Sequence, residues 1–188
     1  MEVNGEYQIE AAREVVWAAL NDDDILRQAL PGCESLERIS DTDLDARVKL
    51  KVGPVAVNLA AKIQLKDLDP PNGYTISGDG KGGPAGFAKG EARVSLEDVG
   101  GATLLRYDVD AKVGGKLGQL GSRMIDATAK KIAGEFFRKF SELVAQAQAK
   151  EGEAVEPGQV SWLAQPALWV GGCVTLLALA VLVAILSG

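Results

Sequence analysis

Four stretches of this chain alternate apolar and polar residues with period two, and that pattern limits the fold more than any other feature. Leu44, Ala46, Val48, Leu50 and Val52 alternate with Asp45, Arg47, Lys49 and Lys51. Val55, Val57, Leu59, Ala61, Ile63 and Leu65 alternate with Asn58, Lys62, Gln64 and Lys66. The same rhythm recurs at Gly90, Ala92, Val94 and Leu96, and again at Thr103, Leu105, Tyr107, Val109, Ala111 and Val113. Successive side chains of a strand point to opposite faces, so each stretch reads as a half-buried antiparallel strand. Gly53-Pro54 and Gly100-Gly101 supply tight turns between consecutive pairs. Shorter strands are expected at residues 5–10, 35–40 and 73–80, which makes seven.

Three helical segments accompany them. Residues 11–21 place Val15, Val16, Ala19 and Leu20 at helical spacing, and residues 22–30 follow with Asp22 or Asp23 as N-cap and Pro31-Gly32 as stop. A long helix is expected over residues 115–150, with Leu117, Leu120, Met124, Thr128, Ile132, Phe136, Phe140 and Leu143 in one apolar stripe. The order β-α-α-β-β-β-β-β-β-α gives an α+β helix-grip fold, a curved seven-stranded antiparallel sheet around a long C-terminal helix.

Such a fold encloses a cavity, and small residues decide whether it is empty. Parity places Gly78, Gly80, Ala88, Gly90, Ala92 and Ala111 inward, facing Gly114, Gly115, Gly118 and Gly121. The volume they leave would be lined by Leu59, Ile63, Ala92, Tyr107, Leu117, Leu120 and Met124, a mostly apolar site for a lipophilic ligand. Tyr107 and Thr128 are candidates for hydrogen bonds to a polar headgroup, and Phe87 is expected on a hairpin at the cavity mouth. The competing explanation of the glycines is close packing or bending of the sheet.

Past the folded domain, expected at residues 1–149, the sequence changes character. Residues 167–186 are 20 residues without a charge, 11 of them Leu, Val or Ile. A helix rising about 1.5 Å per residue would span about 30 Å, the thickness of a bilayer core. Trp162 and Trp169 stand near its entry, where indole rings favour the headgroup layer. Residues 166–187 are therefore expected to form a transmembrane tail anchor. Residues 150–165 read as a flexible linker with a reach of roughly 20–24 Å. With no secretory signal at the N-terminus, the expectation is a single-pass protein of the cytoplasmic membrane with its domain facing the cytoplasm.

Composition removes several chemistries. The net charge is −6 and no basic block is present, a poor match for nucleic acid. Histidine is absent, so no histidine base, triad or metal ligand exists. Cys33 and Cys173 are too few for a cysteine zinc site, and Cys33 reads as a small buried residue. Asn21 to Asp24 read as helix cap and solvated surface rather than a metal site. Gly78-Asp79-Gly80-Lys81-Gly82-Gly83 fits G-x-G-x-x-G in letters, but Pro84 and a strand follow it instead of a helix. No catalytic residue and no metal ligand is assigned.

Val16-Trp17-Ala18-Ala19-Leu20-Asn21-Asp22 and Leu30-Pro31-Gly32-Cys33-Glu34-Ser35-Leu36-Glu37 resemble the CoxG family of carbon monoxide dehydrogenase subunits. The glycines from Gly78 to Gly90, and Tyr107-Asp108-Val109 through Gly114, Gly121 and Phe136-Phe137, carry the same likeness. It covers about residues 1–147 and implies the START-like (SRPBCC) superfamily. It further implies a non-catalytic accessory protein of carbon monoxide dehydrogenase or a related molybdenum hydroxylase. Such a protein would hold the enzyme at the membrane and bind a quinone, menaquinone or ubiquinone, with no covalent cofactor. Alternatives are a generic lipid- or polyketide-binding START-like protein, with cyclase chemistry as its enzymatic variant, or a pure membrane-tethering scaffold.

Overall fold

The computed structural model describes residues 2–153. The expected membrane anchor and nearly all of the expected linker lie outside the described residues. Within them the strands are β1 (Glu2–Ile9), β2 (Cys33–Arg38), β3 (Asp43–Val52), β4 (Val55–Asp69), β5 (Gly73–Lys81), β6 (Phe87–Asp98) and β7 (Thr103–Gly114). They form one sheet in the order β1-β7-β6-β5-β4-β3-β2, antiparallel at every neighbour. The chain meanders from β2 to β7, and β1 closes on β7. Two short helices, α1 (Arg13–Leu20) and α2 (Asp23–Ala29), carry the chain from the β1 edge to the β2 edge.

Register keeps the apolar set on one face. Leu44 pairs with Ile63, Ile63 with Gly78 and Gly78 with Gly90. Leu65, Ile76, Ala92 and Val109 form another cross-strand row, and Tyr74, Val94 and Tyr107 a third. A slip of one residue in any pair would turn its whole apolar row to water. Across this face lies α3 (Ser122–Glu153). Its buried Phe137, Phe140 and Val144 meet Ile9, Val16, Val94, Leu96 and Leu105 in the main core cluster.

The local signals act as their chemistry predicts. Asp22 caps α2, its Oδ1 accepting from the backbone N–H of Asp24 and of Ile25 at 2.9 Å each. Gly32 holds φ +72°, and a Cβ there would strike the Lys49 carbonyl, so the Pro31-Gly32 turn lies flat on β3. Its carbonyl accepts from the Lys49 N–H at 2.8 Å. Thr103, fully buried, donates to the Ala11 carbonyl at 2.7 Å and ties the α1 approach to β7.

One helix boundary differs from the periodicity. The apolar stripe predicts a start at residue 115, but α3 begins at Ser122. Gly115 and Gly121 take φ of +72° and +82°, which breaks the helix, and residues between them form a 3-10 turn at Gly118–Leu120. Leu117 and Leu120 therefore sit on the lead-in turn rather than the helix. At the far end α3 continues through Glu153, into residues expected to be linker.

Truncating Phe140→Ala should remove about 3–5 kcal/mol of stability, because the ring is fully enclosed. Asp22→Ala should cost about 1 kcal/mol through the lost cap. Urea unfolding followed by circular dichroism measures both, and equal losses would contradict this ranking.

Candidate ligand-binding site

Between the sheet's inner face and α3 lies a cavity of about 470 Å³. Its floor is Leu44, Ile63, Leu65, Tyr74, Ile76, Ala92, Val94, Leu105, Tyr107 and Val109. Ala129, Ile132, Ala133, Phe136 and Phe137 of α3 form the roof, and Leu20, Leu26, Leu30, Leu36 and Arg38 close one side. Small residues on both walls leave volume between the sheet and α3. Ala92 lies on the floor, while Ala129 and Ala133, four residues apart, occupy one face of α3. The two explanations of the sheet glycines divide between residues. A Cβ on Gly78 would meet nothing within 4 Å, so this glycine leaves space. A Cβ on Gly90 would collide with the Asp110 carbonyl and Ala111, so there the missing side chain permits backbone approach.

Stacked aromatic rings bound one end of the cavity. Tyr7 stacks on Phe137 with centroids 4.2 Å apart, and Tyr107 lies 5.6 Å from Phe137. Tyr107 covers its partner Gly5 on the edge strand, where any Cβ would strike the phenol ring. Trp17 of α1 meets Tyr74 edge-on at 5.5 Å.

Three titratable side chains reach the walls: Arg38, Tyr74 and Tyr107. Arg38 is fixed by a two-pronged contact with Asp23, its Nε donating at 3.0 Å and its Nη2 at 2.6 Å to Oδ1. It also donates to the carbonyls of Asn21 and Asp41, each at 3.3 Å. The guanidinium is thereby held at the cavity rim by the first turn of α2. Burial raises the Tyr74 phenol well above its ordinary pKa, against a smaller opposing effect of Arg38. Tyr107 is raised too, by burial and then by Tyr7. Both phenols remain neutral hydrogen-bond donors at physiological pH. They can serve a carbonyl or similar acceptor in an otherwise apolar site.

Of the residues expected from the sequence, Ile63, Ala92 and Tyr107 stand on the cavity wall. Leu59, Leu117 and Leu120 do not; they pack with Val52 and Val57 in a separate cluster. The displaced start of α3 is the cause, since it moves both helix-lead leucines toward the β3–β4 turn. Met124 is 41% exposed and lies against Gly53. Thr128 spends its hydroxyl proton on the Met124 carbonyl at 2.8 Å. Phe87 is 46% exposed on the parity of Lys89, Glu91 and Arg93, so it faces outward rather than into the cavity mouth. Cys33 is held as a thiol by burial, which outweighs the nearby Arg27.

Sequence reasoning passed over Tyr74 and Arg38. Tyr74 was legible, because it shares the parity that put Gly78 inward. Arg38 was not, because its place depends on Asp23 fifteen residues earlier.

Comparison with known proteins agrees with this geometry. The family model for CoxG, a subunit of carbon monoxide dehydrogenase, matches residues 5–145. A conserved protein of Geobacillus kaustophilus, known from its crystal structure, is 32% identical, with a TM-score of 0.74. That alignment covers 78% of this chain and 97% of that one. The Zhui aromatase/cyclase of Streptomyces sp. R1128 is 15% identical, covered over 78% of this chain and 94% of that one, with a TM-score of 0.55. A norcoclaurine synthase point mutant of Thalictrum, bound to a transition-state analogue, is 16% identical, covered over 79% and 96%, with a TM-score of 0.56. These last two share the fold. No curated protein matches the chain.

The raised phenol of Tyr74 has a thermodynamic consequence. The folded state keeps its proton where the unfolded chain, with an ordinary pKa of about 10, loses it. The stability contribution is therefore complete below about pH 9 and declines above about pH 10. Tyr74→Phe should flatten that alkaline decline in unfolding curves taken across the range; an unchanged decline would remove Tyr74 as its source.

Proposed function

We propose that this chain, which belongs to the CoxG family of carbon monoxide dehydrogenase subunits, binds a lipophilic quinone in its cavity. It would do so as a non-catalytic accessory of carbon monoxide dehydrogenase or a related molybdenum hydroxylase. The observation that carries this reading is the cavity, about 470 Å³ of almost wholly apolar wall with two neutral phenols and one pinned guanidinium. Its size falls in the range of small-molecule sites. A quinone ring stacked among Phe136, Phe137 and Tyr107 would gain apolar burial. Its carbonyls would accept hydrogen bonds from the hydroxyl of Tyr74 or Tyr107. A ligand already dissolved in lipid exchanges one apolar environment for another, so the transfer costs little.

The uncharged run at residues 167–186 supports the location. Anchored there, the domain would face the cytoplasm at the cytoplasmic membrane. It could recruit the dehydrogenase and pass quinone, or the electrons quinone carries, between enzyme and bilayer. Menaquinone and ubiquinone both fit this description. The cavity wall carries no carboxylate, so the cyclase alternative would have to work with Arg38 and two phenols alone.

Extraction of the full chain in mild detergent, followed by mass spectrometry, should recover a quinone in near-stoichiometric amount. Ala92→Phe, which fills the cavity from its floor, should reduce quinone retention about tenfold or more. It should change stability by no more than about 2 kcal/mol, since the ring enters space already empty. Recovery of a polyketide or phospholipid instead would favour the generic lipid carrier. An empty wild-type cavity would leave only the tethering scaffold.

A further inference from the structure

The cations of the domain are sorted by end. Arg47, Lys49 and Lys51 on β3, Lys62 on β4, Lys81 on β5 and Lys112 on β7 are exposed on the sheet's outer face. None of the six makes an ion pair with another described residue. At the opposite end most cations are neutralised, Arg38 by Asp23, Lys66 by Glu91, and Arg106 by Glu6 and Glu97, with Arg93 in the Lys66 row left exposed. Register gathers the free ones into neighbouring rows. Arg47 pairs with Ala60, Ala60 with Lys81 and Lys81 with Phe87. In the adjacent row on the same face, Lys62 pairs with Asp79, Asp79 with Lys89 and Lys89 with Lys112. Opposing two lysines across strands costs stability rather than adding it. Asp79 compensates only in part, reaching Lys89 at 3.7 Å. Glu34, Glu37 and Asp45 also interleave here, Asp45 directly opposite Lys62, and Glu2 and Asp110 pair in the next row. The positive excess therefore lies toward the β3–β4 and β5–β6 turns, at Lys49, Lys51, Lys81, Lys112 and Lys116. The other end carries Asp41 in a turn and Asp67, Asp69 and Asp98 at the ends of β4 and β6.

Apolar groups stand at the same basic end. Phe87 is 46% exposed with its ring across Gly114, and Met124 is 41% exposed. Pro54 and Pro84 are exposed in the adjoining turns, with Lys116 close by in sequence on the lead-in to α3.

We infer that this end of the domain is a docking surface for an anionic lipid bilayer, independent of the C-terminal apolar run. Lysines spread over several strands match a diffuse sheet of negative charge, where each acts as a point charge. Arg47, Lys62 and Lys81 do line one groove, but Glu37, Asp45 and Asp79 line it with them, which disfavours a single phosphate there. Phe87 and Met124 supply what enters the interface once charge has drawn the surface in. The acidic opposite end is repelled by the same field, so the bilayer orients the domain as well as holding it.

The test uses residues 1–154, which contain all seven strands and all three apolar clusters. A domain of this extent matches 97% of the Geobacillus chain, which folds as such. Sedimentation with phosphatidylcholine vesicles is compared with vesicles doped with phosphatidylglycerol. The fragment should bind only the doped vesicles and be released by salt. Lys81→Glu combined with Lys112→Glu should weaken binding about tenfold or more. Lys130→Glu with Lys131→Glu, on the exposed side of α3, should bind as the parent does, with melting curves confirming that both variants fold. Equal binding to both vesicle types, or full binding by the Lys81/Lys112 variant, would overturn the inference. So would lysine-dependent binding to purified dehydrogenase without vesicle binding, which would make the occupant a protein. No quinone enters this assay, so its failure leaves the cavity reading standing, and an empty cavity leaves this inference standing.

Discussion

The seven-stranded register is the constraint on which the rest depends. Each strand carries its apolar residues on one parity, and antiparallel pairing aligns those parities into cross-strand rows such as Leu65, Ile76, Ala92 and Val109. A single sheet with one apolar face cannot leave it in water. The stripe of α3 supplies the cover, and the Tyr7–Phe137 stack and the enclosed Phe140 fix its position. Register thus determines two surfaces together, an inner one for packing and an outer one for charge.

Covering the inner face does not fill it. Where large residues meet, around Ile9, Val16, Leu105 and Phe140, the core is solid. Where Ala92 of the sheet and Ala129 and Ala133 of α3 line the cavity, space remains. Protein interiors normally pack to crystal density, and an unfilled volume forfeits dispersion contacts along its lining. A ligand with apolar surface would restore those contacts. Arg38 and the two phenols then supply polarity at few places. In so apolar a setting each hydrogen bond they make discriminates strongly between ligands.

On the outer face, the same alternation that hides leucine and valine displays lysine and arginine. The side chains are separated by strand spacing, so their distribution is a property of the sheet. A net acidic domain can therefore still present a positive end, because net charge says nothing about how register distributes it.

Strand and helix identities were legible in the sequence because period two and period three to four are local properties of the chain. The cap at Asp22 and the stop at Pro31-Gly32 depend on neighbours a few residues away, and they were legible for the same reason. Parity also contained Tyr74 and the outward direction of Phe87, since each shares its face with residues whose side was plain. What sequence could not supply was the outcome of distant pairing. Gly115 and Gly121 displaced the start of α3, so Leu117 and Leu120 joined a cluster with Val52 and Val57 instead of lining the cavity. Asp23 fixed Arg38 at the rim across a separation no periodicity records. Local pattern decides which way a side chain points; only the assembled sheet and helix decide whether it meets a neighbour, a void or water.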